Sequence, residues 1–326
     1  MPTTPAQGAP NKPSTLLTAP DRPMAMPDPA ALVMLAEIAD AGSLSAAARR
    51  LGVSQPALSK QLKRLEQILG VQVFERGLRG VQATDYGAAL LPPARAIRAQ
   101  ARQAGEDIAQ RRGQREGRLV VALSHFATIA LLPQVILAFR ARWPAVRLCF
   151  IPPTFQLAGL REGAPDFAVM SLPVEQLGAE FSARAVYTTP IAVVVRKGHP
   201  LAGARDLAEL ADVDWVWPSL ESSTARGLTR ALRLAGQAVP HCPVTCETLT
   251  GLEALVAHTD LVGAIPLEVQ RARAPASGLQ RVPIAQVIEG PRVAILRWAD
   301  ARPTPAAADL EDAFVQAAYR LARQEV

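Results

Sequence analysis

The stretch GSLSAAARRLGVSQPALSKQLKRLEQILG, Gly42 to Gly70, limits this chain's fold more tightly than any other segment. It reads as two helices with clear start and stop signals, separated by a very short turn. Ser43 caps the first, Ala47, Ala48 and Leu51 form its inward face, and Gly52 stops it. Ser54 caps the second, and Pro56 falls in its first turn, where a missing N–H costs nothing. Leu58, Leu62, Leu65 and Leu69 recur at helical spacing, giving one buried stripe, and Gly70 supplies the stop. A preceding helix is expected from Ala30 to about Asp40, its face marked by Leu32, Leu35, Ala36 and Ala39. Two alanines let the paired helices cross closely, with Val53 expected to plug the turn. The pattern is that of a helix-turn-helix whose last helix, about 22 Å long at 1.5 Å per residue, fits a DNA major groove.

Charge points the same way. The chain carries a formal +6, and between Ser43 and Gln82 seven Lys/Arg stand against two Glu. Gln55, in the first turn of the last helix, can read adenine in a bidentate manner; Pro56 and Ala57 suit a thymine methyl. Ser59, Lys60, Lys63 and Arg64 follow on the outer face, within reach of bases or phosphates. The alternative, an ordinary solvated helix face, leaves the spacing, the alanine crossing and the clustered charge unconnected. After Gly70, VQVFERGLRGVQAT reads as a hairpin with Arg76 and Arg79 near its tip. A long helix is then expected from Thr84 to about Arg112. Its Leu90, Ala94, Ile97, Ala101, Ala104 and Ile108 form a heptad seam, although Pro92 and Pro93 argue for a kink.

The remainder alternates strands (RLVVAL, VRLCFI, DFAVMS, IAVVVR, DWVWP, LVGAIP, RVAILRW) with helices near 127–142, 155–162, 222–236, 250–258 and 306–323. That pattern predicts an α/β body with a mostly parallel sheet. Residues 1–27 hold seven prolines and no apolar periodicity, so a disordered tail is expected, with Met24 or Met26 as the natural start. The tail lacks the basic start and apolar run of a signal peptide, and no apolar run is long enough for a membrane span. Three cysteines are too few for a disulfide framework and suit a reducing, cytoplasmic setting. His241, Cys242 and Cys246 in HCPVTC raise a metal or redox site. Their spacing fits no zinc pattern and nothing near them signals a reactive thiolate, so the favoured reading is a cysteine on a strand edge. An enzyme is not expected, nor a cofactor: G-x-S-x-G, P-loop, G-x-G-x-x-G after a strand and H-E-x-x-H are all missing.

From Ala30 to Pro93 the sequence closely resembles the winged helix-turn-helix of LysR-type transcriptional regulators, through GSLSAAARRL, VSQPALSKQ, LGVQVFER and the closing T-D-Y-G. The resemblance implies a winged helix-turn-helix at 28–87 and a linker helix at 88–113 that pairs two chains. It also implies an effector-binding domain at 117–326 with two α/β lobes, resembling periplasmic binding proteins. One lobe is expected to take about 117–188 and 267–326, the other about 189–266. Ser54, Gln55, Pro56, Ser59 and Lys60 match the family's DNA contacts, and Arg76 and Arg79 its wing. A homodimer, assembled further to a homotetramer on double-stranded DNA and governed by a small effector, is what such a resemblance implies.

Ligands of open α/β sheets sit beyond the carboxyl ends of strands, near helix N-termini. Those positions nominate Ser124, His125 and Thr128; Thr154 and Phe155; Ser219, Ser222, Ser223 and Thr224; and Thr248 and Thr250. Hydroxyl donors at four helix starts suit a carboxylate or sulfonate, although each also reads as a plain N-cap. His125 is the ionisable member of the set, and a surface or core histidine is the favoured reading of it over a ligand contact.

Overall fold

The computed structural model describes residues 26–77, 80–152, 158–161, 165–171, 177–219 and 222–323. The expected tail therefore lies almost wholly outside the described residues. The chain forms two compact units, one ending at Ala89 and the other beginning at Leu90.

The first unit has three helices, α1 (Pro29–Ala41), α2 (Leu44–Leu51) and α3 (Gln55–Leu69), and a hairpin of β1 (Phe74–Gly77) and β2 (Gly80–Ala83). Each helix starts on a side-chain cap: Asp28 accepts from the Ala30 N–H, Ser43 from that of Ala46 and Ser54 from that of Ala57. Each such cap contributes about 1 kcal/mol. Leu58, Leu62 and Leu65 are buried as the spacing predicts, each contributing roughly 1.5–3 kcal/mol of burial. Val53 differs from expectation, for it is 40% exposed. Ala47 and Ala48 fill the crossing, and the turn is closed by the Val53 N–H donating to the Ala48 carbonyl at 3.0 Å.

Three contacts fix the hairpin. The Glu66 carboxylate accepts from the Val73 and Phe74 N–H groups, and the Val81 N–H donates to the Gly42 carbonyl at 3.0 Å. The T-D-Y-G motif supplies the third. The Thr84 hydroxyl donates to the Gln72 carbonyl at 2.7 Å and accepts from the Gly87 N–H, while Gly87 lies so close to β1 that a Cβ there would sit 2.0 Å from the Val73 carbonyl oxygen.

Helix α4 (Asp85–Arg111) runs as one element with Pro92 and Pro93 inside it, starting slightly before the expected linker. Its last turns are bonded to the body. The Arg102 guanidinium bridges Glu106 at 2.7 Å and Asp166 at 2.9 Å, and Asp166 also accepts from the Val120 N–H. Gln110, 6% exposed, accepts from the Ala306 N–H and donates to the Glu116 carbonyl.

In the body, β3 (Glu116–Leu123), a π turn (Ala127–Leu131), α5 (Leu132–Arg142), β4 (Ala145–Ile151), α6 (Ala158–Arg161) and β5 (Phe167–Ser171) come first. A long strand, β6 (Phe181–Arg196), then leads to β7 (Trp215–Trp217), α7 (Ser223–Leu234), β8 (Val244–Thr245), α8 (Leu249–His258), β9 (Val262–Pro266), α9 (Leu267–Ser277) and β10 (Leu279–Arg281). Strand β11 (Ile288–Trp298) and α10 (Pro305–Arg323) close the chain. The strands order as β4-β3-β5-β11-β6-β9-β7-β8, with β10 also on β6. Pairing is parallel within β4-β3-β5 and within β9-β7-β8, but β11 and β6 run antiparallel to their neighbours. The sheet is thus mixed rather than mostly parallel, because two long strands cross between the lobes.

One lobe packs around Val121, Phe139, Phe167, Leu310 and Phe314. The other packs around Val193, Trp215, Trp217 and Leu228, with a second cluster holding Val216, Leu252 and Val256. Around the expected return to the first lobe at about 267 the packing is divided: Leu267, Leu279, Val282 and Ile288 pack in the second lobe, whereas Val269 of α9 packs in the first-lobe core. Helix α9 was not expected at all: Glu268 and Gln270 sit among its buried residues, which hides the periodicity.

Gly87→Ala is expected to lower the unfolding midpoint of the first unit. The helix-propensity gain of up to about 1 kcal/mol is outweighed by the collision with a backbone oxygen, at roughly 1–3 kcal/mol. Gln110→Ala is expected to destabilise the body by about 1–3 kcal/mol, since it strands a buried N–H at the start of α10. Denaturant titration with circular dichroism reads both; wild-type midpoints would contradict these contacts.

Candidate functional site

The outer face of α3 is presented by its caps and leucine stripe. Ser54, Gln55, Pro56, Ala57, Lys60, Lys63 and Arg64 are exposed and Ser59 is half-buried. Gln55 is also held from the neighbouring helix: the Ser45 hydroxyl donates to its side-chain oxygen at 2.9 Å. That bond uses one lone pair and leaves the amide N–H groups and the other lone pair facing outward. Ser45 was missed by sequence reasoning; its position in the first turn of α2, opposite the start of α3, was the available signal. The strands of the wing pair from Phe74↔Ala83 to Gly77↔Gly80, which puts Arg76 opposite Val81. Arg79 lies outside the described residues.

Between the two lobes of the body lies a cavity of about 490 Å³. Five nominated residues line it: Ser124 and His125 after β3, and Ser222, Ser223 and Thr224 at the start of α7. Two others do not. Thr128 points its hydroxyl back to the Ser124 carbonyl at 3.0 Å, and Thr248 caps α8 by accepting from the Gly251 N–H. Both are spent on local backbone bonds, and their side chains are exposed outside the lining. Ser219 and Thr250 are also outside it, while Thr154 and Phe155 lie outside the described residues.

The lining hydroxyls also have local duties. Ser124 accepts from the Ala127 N–H, Ser222 caps α7 by accepting from that of Ala225, and Ser223 accepts from the Arg226 guanidinium at 3.3 Å. Arg226 itself lines the cavity. Sequence reasoning missed it, although it follows Ser222 and Ser223 by one helical turn and so shares their face. Ser171 at the end of β5, Glu247 before α8 and an apolar floor including Phe126, Leu252 and Val269 complete the chemistry. Helix α7 is seated tightly above it: a Cβ on Gly227 would come 2.4 Å from the Glu289 carbonyl oxygen.

The cysteines of HCPVTC are half-buried rather than clustered for chemistry. Burial pushes the Cys242 thiol up, and its Sγ donates to the Val244 carbonyl; Cys246 borders the cavity with its Sγ towards Thr248. The raised Cys242 thiol is the opposite of a reactive thiolate. His241 pairs with Asp214 at 2.7 Å, on the exposed surface.

Comparison with known proteins covers both parts of the chain. Residues 29–88 match the model of bacterial regulatory helix-turn-helix proteins of the lysR family, and residues 112–318 match the LysR substrate binding domain. The HTH-type transcriptional regulator GalR of Pseudomonas putida is 28% identical over 91% of this chain and 76% of its own. The HTH-type transcriptional regulator PcaQ of Agrobacterium fabrum is 30% identical over 66% of this chain and 70% of its own. Among solved structures, CbnR, a LysR family transcriptional regulator, shares the fold with a TM-score of 0.65 at 23% identity, covering 89% of this chain and 99% of that one. A helix-turn-helix with an exposed polar reading face, joined to a two-lobed binding body, and family matches over both parts lead to one conclusion: the chain belongs to the LysR family of DNA-binding transcriptional regulators.

Proposed function

We propose that this regulator binds double-stranded DNA through α3 and its wing, and that a small anionic metabolite, a carboxylate or sulfonate, controls it from the cavity between the lobes. The observation that carries the effector reading is convergence. Residues from three separate strand ends, with the Arg226 guanidinium, meet in one cavity at the N-terminus of a 12-residue helix. Partial positive charge at that terminus, hydroxyl donors and a guanidinium all favour an anion. Glu247 on the β8–α8 side turns the anionic head toward α7, and the apolar floor takes the rest of the molecule.

The α4 seam supports pairing of two chains. Ala101 and Ala104 are exposed and Ile108 is 58% exposed, while Arg102 and Gln110 of the same helix engage the body. Small residues along such a seam let two helices approach closely. A solved structure of full-length CbnR with its target DNA supports the same DNA-bound use of the fold. Two such dimers would form the tetramer, and among the described residues no helix is long and apolar enough to cross a membrane. A cytoplasmic regulator fits this reading.

Two experiments test it. Genomic fragments selected by the purified chain, titrated by fluorescence anisotropy across salt concentrations, are expected to bind less steeply in Lys60→Ala, with the salt slope reduced by about 1. Gln55→Ala is expected to lose discrimination between matched and mismatched sites by roughly 1–3 kcal/mol. Equal weakening on all sequences by Gln55→Ala would remove its base-reading role. For the cavity, a thermal-shift screen of carboxylates and sulfonates should yield a ligand adding about 2.7 kcal/mol at a hundredfold excess over its Kd. Ser124→Ala and Thr224→Ala should each diminish that gain; an unchanged gain in both would displace the site from this cavity.

A further inference from the structure

A carboxylate is buried where the two lobes meet. Glu268, in the first turn of α9 and 4% exposed, accepts from the Tyr187 hydroxyl at 2.5 Å and from the Thr189 hydroxyl. Both donors lie on β6, and Thr189 is fully buried. The backbone at this point is poorly bonded. Gly290 and Pro291 of β11 stand opposite Thr189 alone, at a register shift between Glu289↔Pro190 and Arg292↔Thr188. Two prolines, Pro190 and Pro291, remove ladder donors, and a bulge bends the strand that carries it. The strands nonetheless come very close, since a Cβ on Gly290 would sit 2.2 Å from the Thr189 carbonyl oxygen.

Weak ladder and tight side-chain bridging occur together at a place that borders the cavity from below. Tyr187 stacks on Phe126, with ring centroids 5.5 Å apart, and Phe126 lines the cavity from the first lobe. Pro266, at the end of β9 in the second lobe, and Val269, which packs in the first-lobe core, stand on either side of Glu268 in sequence and line it too, as does Pro291. The carboxylate therefore joins the first-lobe shelf to the helix that leaves the second lobe.

We propose that Glu268, acting through Tyr187 and Thr189, is the positioning residue that sets the angle between the lobes. The prolines and the bulge leave the crossing free to bend, and the two hydroxyl–carboxylate bonds hold it at one angle. An effector in the cavity works against this bridge, pressing on Phe126 from the first lobe and on Leu252 from the second. Its part in regulation rests on the effector reading above; the lobe angle itself does not, so the two ideas fail separately.

The test needs no effector. Spin labels are placed in the full-length chain at Ala138 on α5 and Arg233 on α7, both exposed, using a genetically encoded amino acid that leaves the native cysteines in place. Dilution with unlabelled chains restricts pulsed electron paramagnetic resonance to distances within one chain. Wild type should give one narrow lobe-to-lobe distribution. Tyr187→Phe combined with Thr189→Val should broaden it or move its centre by roughly 2 Å or more, the scale of a hinge rearrangement. Leu228→Ala, a cavity in the second-lobe core, should lower the Tm and leave the distribution narrow. A wild-type distribution in the double variant, or equal broadening in Leu228→Ala, would overturn the proposal. Should the double variant fail to fold, Tyr187→Phe alone, which deletes one oxygen and keeps the ring on Phe126, decides by the same comparison.

Discussion

Antiparallel pairing of β6 with β11 is the constraint on which the body depends. These strands pair from Phe181↔Trp298 in the first lobe to Ile191↔Ile288 in the second, so each lobe's sheet is built outward from a shared central pair. The first lobe adds β5, β3 and β4 on the β11 side, and the second adds β9, β7 and β8 on the β6 side. Because the strand ends of the two half-sheets face one another across this pair, Ser124 and Ser171 from one lobe and Ser222 to Thr224 from the other border the same cavity. A binding site at that point follows from topology before any side chain is chosen.

The same pair explains what the sequence could and could not reveal. Where structure is decided within a few residues, it was legible. Ser43 and Ser54 are caps, Gly42 and Gly52 are left-handed stops, and Leu58, Leu62 and Leu65 face inward. Where structure is decided by pairing across a hundred residues, it was not. IAVVVR reads as a short strand because its partner-dependent extension, Phe181 to Pro190, carries polar residues and a proline. β10 is a further case, a short strand whose partner, β6, lies some eighty residues earlier in the chain. Val53 shows a smaller version of this limit: an apolar residue in a turn reads as a plug until the neighbouring alanines are seen to fill the space.

The cavity was half legible. A Ser or Thr ahead of a helix signals a helix start without saying whether its hydroxyl has anything left to offer. Thr128 and Thr248 spend theirs on the Ser124 carbonyl and the Gly251 N–H, outside the lining, whereas Ser222 and Ser223 face the cavity as well as serving α7. Arg226 was recoverable from helix period alone. Glu268 was not, because a buried carboxylate in a charged stretch, LEVQRAR, looks like any solvated helix start until its two hydroxyl donors are located.

Linker and body share a frame through bonds of a different kind from those at the crossing. Arg102 joins α4 to Asp166, which also holds the Val120 N–H of β3, and Gln110 joins α4 to the starts of β3 and α10. These contacts are multiple, short and partly buried, and they all end on first-lobe elements. The crossing, by contrast, replaces ladder bonds with prolines and a bulge. Bonding is thus unevenly distributed: several side-chain bonds tie α4 to the first lobe, while at the crossing the Glu268 bridge stands where prolines and a bulge interrupt the ladder. Any change of lobe angle is then a movement of the second lobe relative to a linker that stays fixed on the first.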